Sequence, residues 1–282
     1  MLYEKFQLAD RFPFLKEMGS VATVEVYSQE TEMEMYESYP KPGMVVCPGS
    51  GYAKCAKREA EPVAVRLLAM GFQVFVLTYS CAPLRYPIQL LEVAALFSLI
   101  HQHHEEWDVN PDKVGIMGFS AGGHLAANYS CCYDGEEIKQ YFKETYRPAT
   151  AVLGYPVISA DLSILNTDSF EQLLGHHPEG EEGKKYSCEY LVSSKTPPTF
   201  IWHTAEDQCV FVENSLRYAT ALSRNKIPYT MHIYPAGEHG LSTLDCLTCN
   251  DLDPMKAYGG DWMDQLKKWF EITSIKGEGK KC

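Results

Sequence analysis

Apolar residues along this chain alternate between short continuous runs and longer stripes at helical spacing. Gly43-Met44-Val45-Val46-Cys47 is a short apolar run closed by Pro48, Gly49 and Gly51, and it reads as a buried strand ending in a turn. Glu61 to Met70 carries a helical stripe of Val63, Val65, Leu67 and Leu68, stopped by Gly71. Phe72 to Tyr79 predicts the next strand. Ile88 to His104 predicts a long helix, with apolar residues at Leu90, Leu91, Ala94, Ala95, Phe97 and Leu99. Lys113 to Phe119 reads as a strand that runs directly into Ser120 and a helix of small residues through Tyr129. Further on, Ala151 to Tyr155, Thr199 to Thr204 and Tyr229 to Tyr234 predict strands, and Glu213 to Arg224 and Met255 to Phe270 predict helices. Val21 to Tyr27 and Met33 to Tyr36 look like an opening antiparallel hairpin. Strands alternating with helices in this way predict an α/β fold, a mostly parallel eight-stranded sheet covered by helices on both faces.

One segment breaks the rhythm. Residues 157–198 carry no strand signal, only a short helix over Ser169 to Leu174 and a polar stretch from Pro178 to Lys185. An excursion of this length inside a compact domain is usually a lid or cap. It is expected to lie over the functional face, as an insertion within a single domain spanning residues 1–282. There is no internal repeat, and the Gly- and Lys-rich tail beyond Ile275 is expected to fray.

Composition narrows the function. The chain has 282 residues, enough for one large α/β domain with a sizeable core, and 45% of them are hydrophobic. The formal net charge of −12, with basic residues scattered, argues against nucleic acid and other polyanions and is compatible with neutral substrates. No stretch approaches the ~18 apolar residues of a membrane span. The start, Met1 to Phe6, lacks a basic region followed by an apolar run, so a cytoplasmic location is expected. The ten cysteines are read as free thiols. Cys246 and Cys249 have C-x-x-C spacing, but no second pair of ligands completes a metal set.

Against this background Gly118-Phe119-Ser120-Ala121-Gly122-Gly123 carries chemistry. It contains G-x-S-x-G, which is weak alone but strong between a buried strand and a small-residue helix. The tight turn pushes the hydroxyl of Ser120 out of the sheet as a nucleophile. The helix N-terminus beneath it offers free N–H groups to a developing oxyanion. Pro48-Gly49-Ser50-Gly51-Tyr52 is a second small-residue loop after a strand. Its backbone can come within ~3 Å of an anionic oxygen. The amides of Ser50 and Gly51, with that of Ala121, are the expected oxyanion-hole donors.

A nucleophilic serine of this kind needs a base and an acid, in the chain order Ser, Asp or Glu, His. Asp207 stands in the turn after the strand Thr199–Thr204, with Glu206 as the competing neighbour. His239 stands in the Gly-flanked loop after the strand Tyr229–Tyr234. In the expected division of labour His239 takes the proton of Ser120, and Asp207 fixes the ring and stabilises the imidazolium. The other histidines have plainer readings. His101, His103 and His104 read as a solvated helix end, His124 as packing beside the nucleophile, and His203 and His232 as structural. His176 and His177 are candidates to line the site from the lid.

Taken together these motifs resemble the α/β-hydrolase esterases related to hormone-sensitive lipase, and more narrowly the acetyl-xylan-esterase-like carbohydrate esterases. Further markers are Tyr79 with Pro83 and Tyr86-Pro87, Val109 to Val114, His124-Leu125-Ala126, Tyr155 to Ser159, Pro197 to Phe200, His203-Thr204 and Gly237 to Leu241. The resemblance runs from about Pro40 to Phe270. It implies hydrolysis of short acyl esters, often acetyl groups on xylan-derived sugars, without a cofactor, and it places Ser120, Asp207 and His239 in the triad. The expected partner is thus a small-molecule ester such as an acetylated sugar, and not nucleic acid or membrane. Relatives of this kind often self-associate, although no interface is legible here. Many relatives have Gly where Ser50 stands and a basic residue or His where Pro48 stands. These departures bear on substrate preference. An amidase or small peptidase on the same fold is the alternative reading.

Overall fold

A computed structural model describes residues 2–29, 39–161, 163–164, 166–245, 248 and 261–273. Eight strands form one sheet: β1 (Leu2–Gln7), β2 (Thr23–Ser28), β3 (Lys41–Cys47), β4 (Gln73–Thr78), β5 (Val109–Phe119), β6 (Ala151–Gly154), β7 (Thr199–Thr204) and β8 (Tyr229–Tyr234). Their order is β1-β2-β4-β3-β5-β6-β7-β8, with β2 antiparallel to both neighbours and β3 through β8 parallel. The helices among the described residues are α1 (Pro13–Glu17), α2 (Glu61–Ala69), α3 (Ile88–Gln102), α4 (Ala121–Cys132), α5 (Glu136–Lys139), α6 (Thr167–Leu174), α7 (Gly180–Tyr186), α8 (Cys188–Leu191), α9 (Glu213–Arg224) and α10 (Trp262–Ile272).

Strand periodicity divides the core into two layers. Val45, Phe75, Ile116, Leu153 and Ile201 point to the face packed by α3, α4 and α9. Met44, Val46, Val74, Val76, Met117, Val152, Phe200 and Trp202 point to the face packed by α2 and α10. The central strands are therefore apolar on both sides, which is why they read as continuous runs rather than alternating ones. Every residue of α3 from Ile88 to Ile100 is buried, including Glu92. Burial raises the Glu92 pKa, while hydrogen bonds from the Ser20 hydroxyl (2.6 Å) and the Ser80 amide (2.8 Å) favour its charged form.

Two expectations need correction. The opening element is not Val21 to Tyr27 alone, because β1 precedes it and occupies one side of β2 while β4 occupies the other. The second strand of the expected hairpin, Met33 to Tyr36, lies outside the described residues. β5 begins at Val109 rather than Lys113, because Val109 pairs with Lys41 across a register shift before the regular ladder resumes at Gly43. The closing helix is described from Trp262, and residues 255–260 lie outside the described set. No described helix is long and apolar enough to cross a membrane.

Candidate active site

β5 delivers Ser120 to the carboxyl edge of the sheet, and α4 starts at the next residue. Ser120 has φ 53° and ψ −121°, a conformation a serine adopts only under external constraint. Its backbone supplies that constraint. The Ser120 amide donates to the Gly154 carbonyl (3.0 Å), and the Ser120 carbonyl accepts from Val157 (3.0 Å) and His124 (3.1 Å). The turn closes only because Gly122 lacks a Cβ. An added carbon there would stand 2.1 Å from the Cys47 carbonyl oxygen and 2.4 Å from that of Pro48.

The hydroxyl of Ser120 lies 2.8 Å from His239 Nε2, and His239 Nδ1 lies 2.7 Å from Asp207 Oδ2. Three side chains from the ends of β5, β7 and β8 thus form one unbroken hydrogen-bonded chain. The His239 side chain is 17% exposed, and its ring packs edge-on against Tyr155, with centroids 5.0 Å apart. Asp207 accepts the amides of Cys209 and Val210 at Oδ1 (both 2.9 Å). Burial alone would raise its pKa. Hydrogen bonds from His203 and His239 outweigh that cost and hold it well below the usual carboxylate range. Glu206, the competing acid, is exposed, and among the described residues its carboxylate accepts only a long contact from the Gly237 amide (3.4 Å).

The loop after β3 adjoins the nucleophile. Ser50, Gly51 and Tyr52 all have positive φ, at 112°, 66° and 58°. Such a run of left-handed residues leaves successive N–H groups free of the strand ladder. The amides of Ser50, Gly51 and Ala121 find no hydrogen-bond acceptor among the described residues. The Gly49 amide is committed elsewhere, to Glu59 Oε2 at 2.7 Å.

The described residues of 157–198 form α6, α7 and α8 rather than the single helix expected. Phe170 packs edge-on against His124, and a Cβ on Gly51 would stand 3.8 Å from Ser169 Oγ. Asn166 Nδ2 donates to the Cys209 carbonyl beside Asp207 (3.0 Å). His176 is turned outward and pairs with Glu182 (2.9 Å), so it does not join the three side chains.

Three histidines do more than the sequence suggested. His203 Nε2 reaches Asp207 Oδ2 (3.2 Å) and the Val210 carbonyl (2.9 Å). His124 is fully buried, with Nε2 on the Tyr186 carbonyl and Nδ1 on the Tyr52 hydroxyl, both at 2.8 Å. It therefore links α4 to the loop after β3 and to the end of α7. His101 is half-buried, stacked on Tyr146 at 3.8 Å, rather than part of a solvated face. Cys246 and Cys249 lie outside the described residues.

The sheet order, the strand-to-helix serine and the loops at the carboxyl edge define an α/β-hydrolase. Within that class the chain belongs to the BD-FAE family, whose model matches residues 31–222. It is 36% identical over 207 residues, 71% of this chain, to endo-1,4-beta-xylanase B of Butyrivibrio fibrisolvens, of which the match covers 32%. It is 32% identical over 204 residues, 70% of this chain, to an acetylxylan esterase of Xylanibacter ruminicola, of which the match covers 40%. The chain thus spans well under half the length of these two curated relatives. Among solved structures, an acetyl ester-xyloside bifunctional hydrolase from Caldicellulosiruptor lactoaceticus superposes with a TM-score of 0.79 at 34% identity, covering 91% of this chain and 90% of that one.

Proposed function

We propose that this protein is a serine carboxylesterase acting on short acyl esters, and that its natural substrates are small acetylated carbohydrates such as xylo-oligosaccharides. The observation that carries the proposal is the continuous chain Ser120 Oγ, His239, Asp207 Oδ2, with links of 2.8 and 2.7 Å. His239 accepts the Ser120 proton as the oxygen attacks the ester carbonyl, and Asp207 stabilises the resulting imidazolium. The amides of Ser50, Gly51 and Ala121 receive the charge that develops on the carbonyl oxygen. His239 then protonates the leaving alcohol, and an acyl group remains on Ser120. A water molecule, deprotonated by His239, repeats the sequence and releases the acid. No group beyond these residues and water enters the balance.

Residues 157–198 act in this scheme as a cap within a single domain, a reading supported by Asn166, which caps α6 and donates to the Cys209 carbonyl beside Asp207, and by Phe170, which packs on His124. The names of the relatives support an acetylated sugar as the alcohol partner. The test is acetate release from a panel of acetylated xylo-oligosaccharides, run beside p-nitrophenyl acetate, p-nitrophenyl octanoate and an aminoacyl anilide. Preference for the acetylated sugars is expected. Faster anilide cleavage would move the protein to the amidases, and faster octanoate cleavage would remove the short-acyl assignment.

A further inference from the structure

The turn between β3 and α2 holds a buried acid that the catalytic scheme does not use. Glu59 is 1% exposed and sits at the end of the 3-10 turn Lys57–Glu59. Its Oε2 accepts the Gly49 amide at 2.7 Å, one residue before the first proposed oxyanion donor. Its Oε1 accepts the Tyr155 hydroxyl at 2.8 Å. The Tyr155 oxygen in turn accepts the Ser242 amide at 2.9 Å, three residues beyond His239. The neighbouring Arg58 closes the circuit, as its Nε donates to the Gly240 carbonyl (2.8 Å) and its own carbonyl accepts the Ser242 hydroxyl (2.5 Å).

We infer that Glu59, resting on the esterase reading above, is a positioning residue that locks the oxyanion loop and the His239 loop to one another, so that both meet Ser120 in fixed geometry.

Space around Gly49 is tight enough for the lock to be felt at the nucleophile. A Cβ on Gly49 would stand 2.9 Å from Glu59 Oε2 and 2.8 Å from Ser120 Cβ. Glu59 and Ser120 therefore crowd the same face of Gly49, where a side chain would project, so the Gly49 amide held by Glu59 lies close beside the nucleophile. On the far side the Tyr155 ring, held at its hydroxyl by Glu59, forms the wall against which the His239 imidazole packs. Tyr155 itself has φ 37°, so its placement is imposed by its partners rather than by backbone preference. Burying a polar acid carries a desolvation cost that an apolar side chain filling the same space would avoid. What an apolar group could not supply is two acceptors at fixed separation, pinning an N–H from one loop and an O–H that bears on the other. Oxyanion donors misplaced by a fraction of an ångström lose much of their effect on the transition state while hardly changing substrate binding.

The experiment compares Glu59→Ala, Glu59→Gln and Ser120→Ala on p-nitrophenyl acetate. It measures kcat and KM separately, the melting temperature, and the affinity for an alkyl boronic acid that adds to a serine as a tetrahedral mimic. For Glu59→Ala, kcat is expected to fall about a hundredfold with KM within about threefold, and boronate affinity to fall alongside kcat. Glu59→Gln keeps an acceptor for the Gly49 amide and is expected to recover about tenfold of that loss. A folded Glu59→Ala enzyme with wild-type kcat, a loss confined to KM, or a glutamine variant no better than alanine would each overturn the inference. If the alanine variant does not fold, Tyr155→Phe decides. A kcat lowered about tenfold at unchanged KM supports the link, and a wild-type kcat overturns it. Turnover retained by Ser120→Ala would remove the esterase reading itself. An inactive Ser120→Ala beside a fully active Glu59→Ala would remove only the positioning role.

Discussion

His203 and His239 meet at a single oxygen atom, Asp207 Oδ2, at 3.2 and 2.7 Å. The second partner of His203 Nε2 is the Val210 carbonyl, so this nitrogen faces two acceptors and must carry the proton. His203 Nδ1 meets the Ser215 hydroxyl at 2.8 Å, which anchors the ring to α9. One histidine thus orients the acid from behind while the other uses it, in the manner of an outer hydrogen-bonding layer.

Replacing His203 by Ala should therefore reach catalysis through Asp207. We expect kcat on p-nitrophenyl acetate to fall about tenfold or more, with KM little changed. Equal kcat in a folded variant would show that the two amides on Oδ1 suffice to hold the acid.

Asp207→Asn keeps the shape of the side chain but presents an uncharged group to the imidazole. Turnover is expected to drop by roughly a thousandfold or more. Glu206→Gln, altering an exposed side chain with one long contact, should stay within about threefold of wild type. Steady-state kinetics on the pair decide, and the reverse ranking would move the acid to Glu206.

His124 makes stability depend on pH. Burial lowers its pKa to about 4, against an ordinary value of 6.5, and its neutral ring already satisfies both partners. Between these values the unfolded chain binds the extra proton and the folded chain does not, so stability rises with pH across that window. Below about 4 both states are protonated and the contribution to the slope ends. Between pH 7 and pH 5 the wild type should lose about 2 kcal/mol more than His124→Gln, read from urea midpoints. Parallel pH profiles would contradict this.

Much of the frame was legible because local chemistry and tertiary packing agree. β7, β8 and α9 begin and end where the apolar runs and turn residues place them. β1 was not legible, since Leu2, Tyr3 and Phe6 fall on both parities of an exposed edge strand and give no period. At the candidate site, the three side chains named from motif and chain order are those the structure brings into contact. Their order follows from the fold, and each stands in a turn after a strand. Glu59, and the bond from His203 to Asp207, were not foreseen for the opposite reason. The partners of Glu59 at Gly49 and Tyr155 come together only when the sheet has formed, and Arg58 read as one of the scattered basic residues. His203 lies in a fully buried strand, where a histidine gives no sign of which side it bonds.

The most direct test of the account is covalent labelling of its nucleophile. The protein is treated with a p-nitrophenyl alkylphosphonate, the adduct is mapped by peptide mass spectrometry, and esterase activity is followed in parallel. We expect one phosphonyl group per chain, carried by Ser120, with activity lost in proportion to labelling. Ser120→Ala should be unlabelled and inactive, with an unchanged melting temperature. An adduct on another residue, or ester turnover near wild type in Ser120→Ala, would contradict the account.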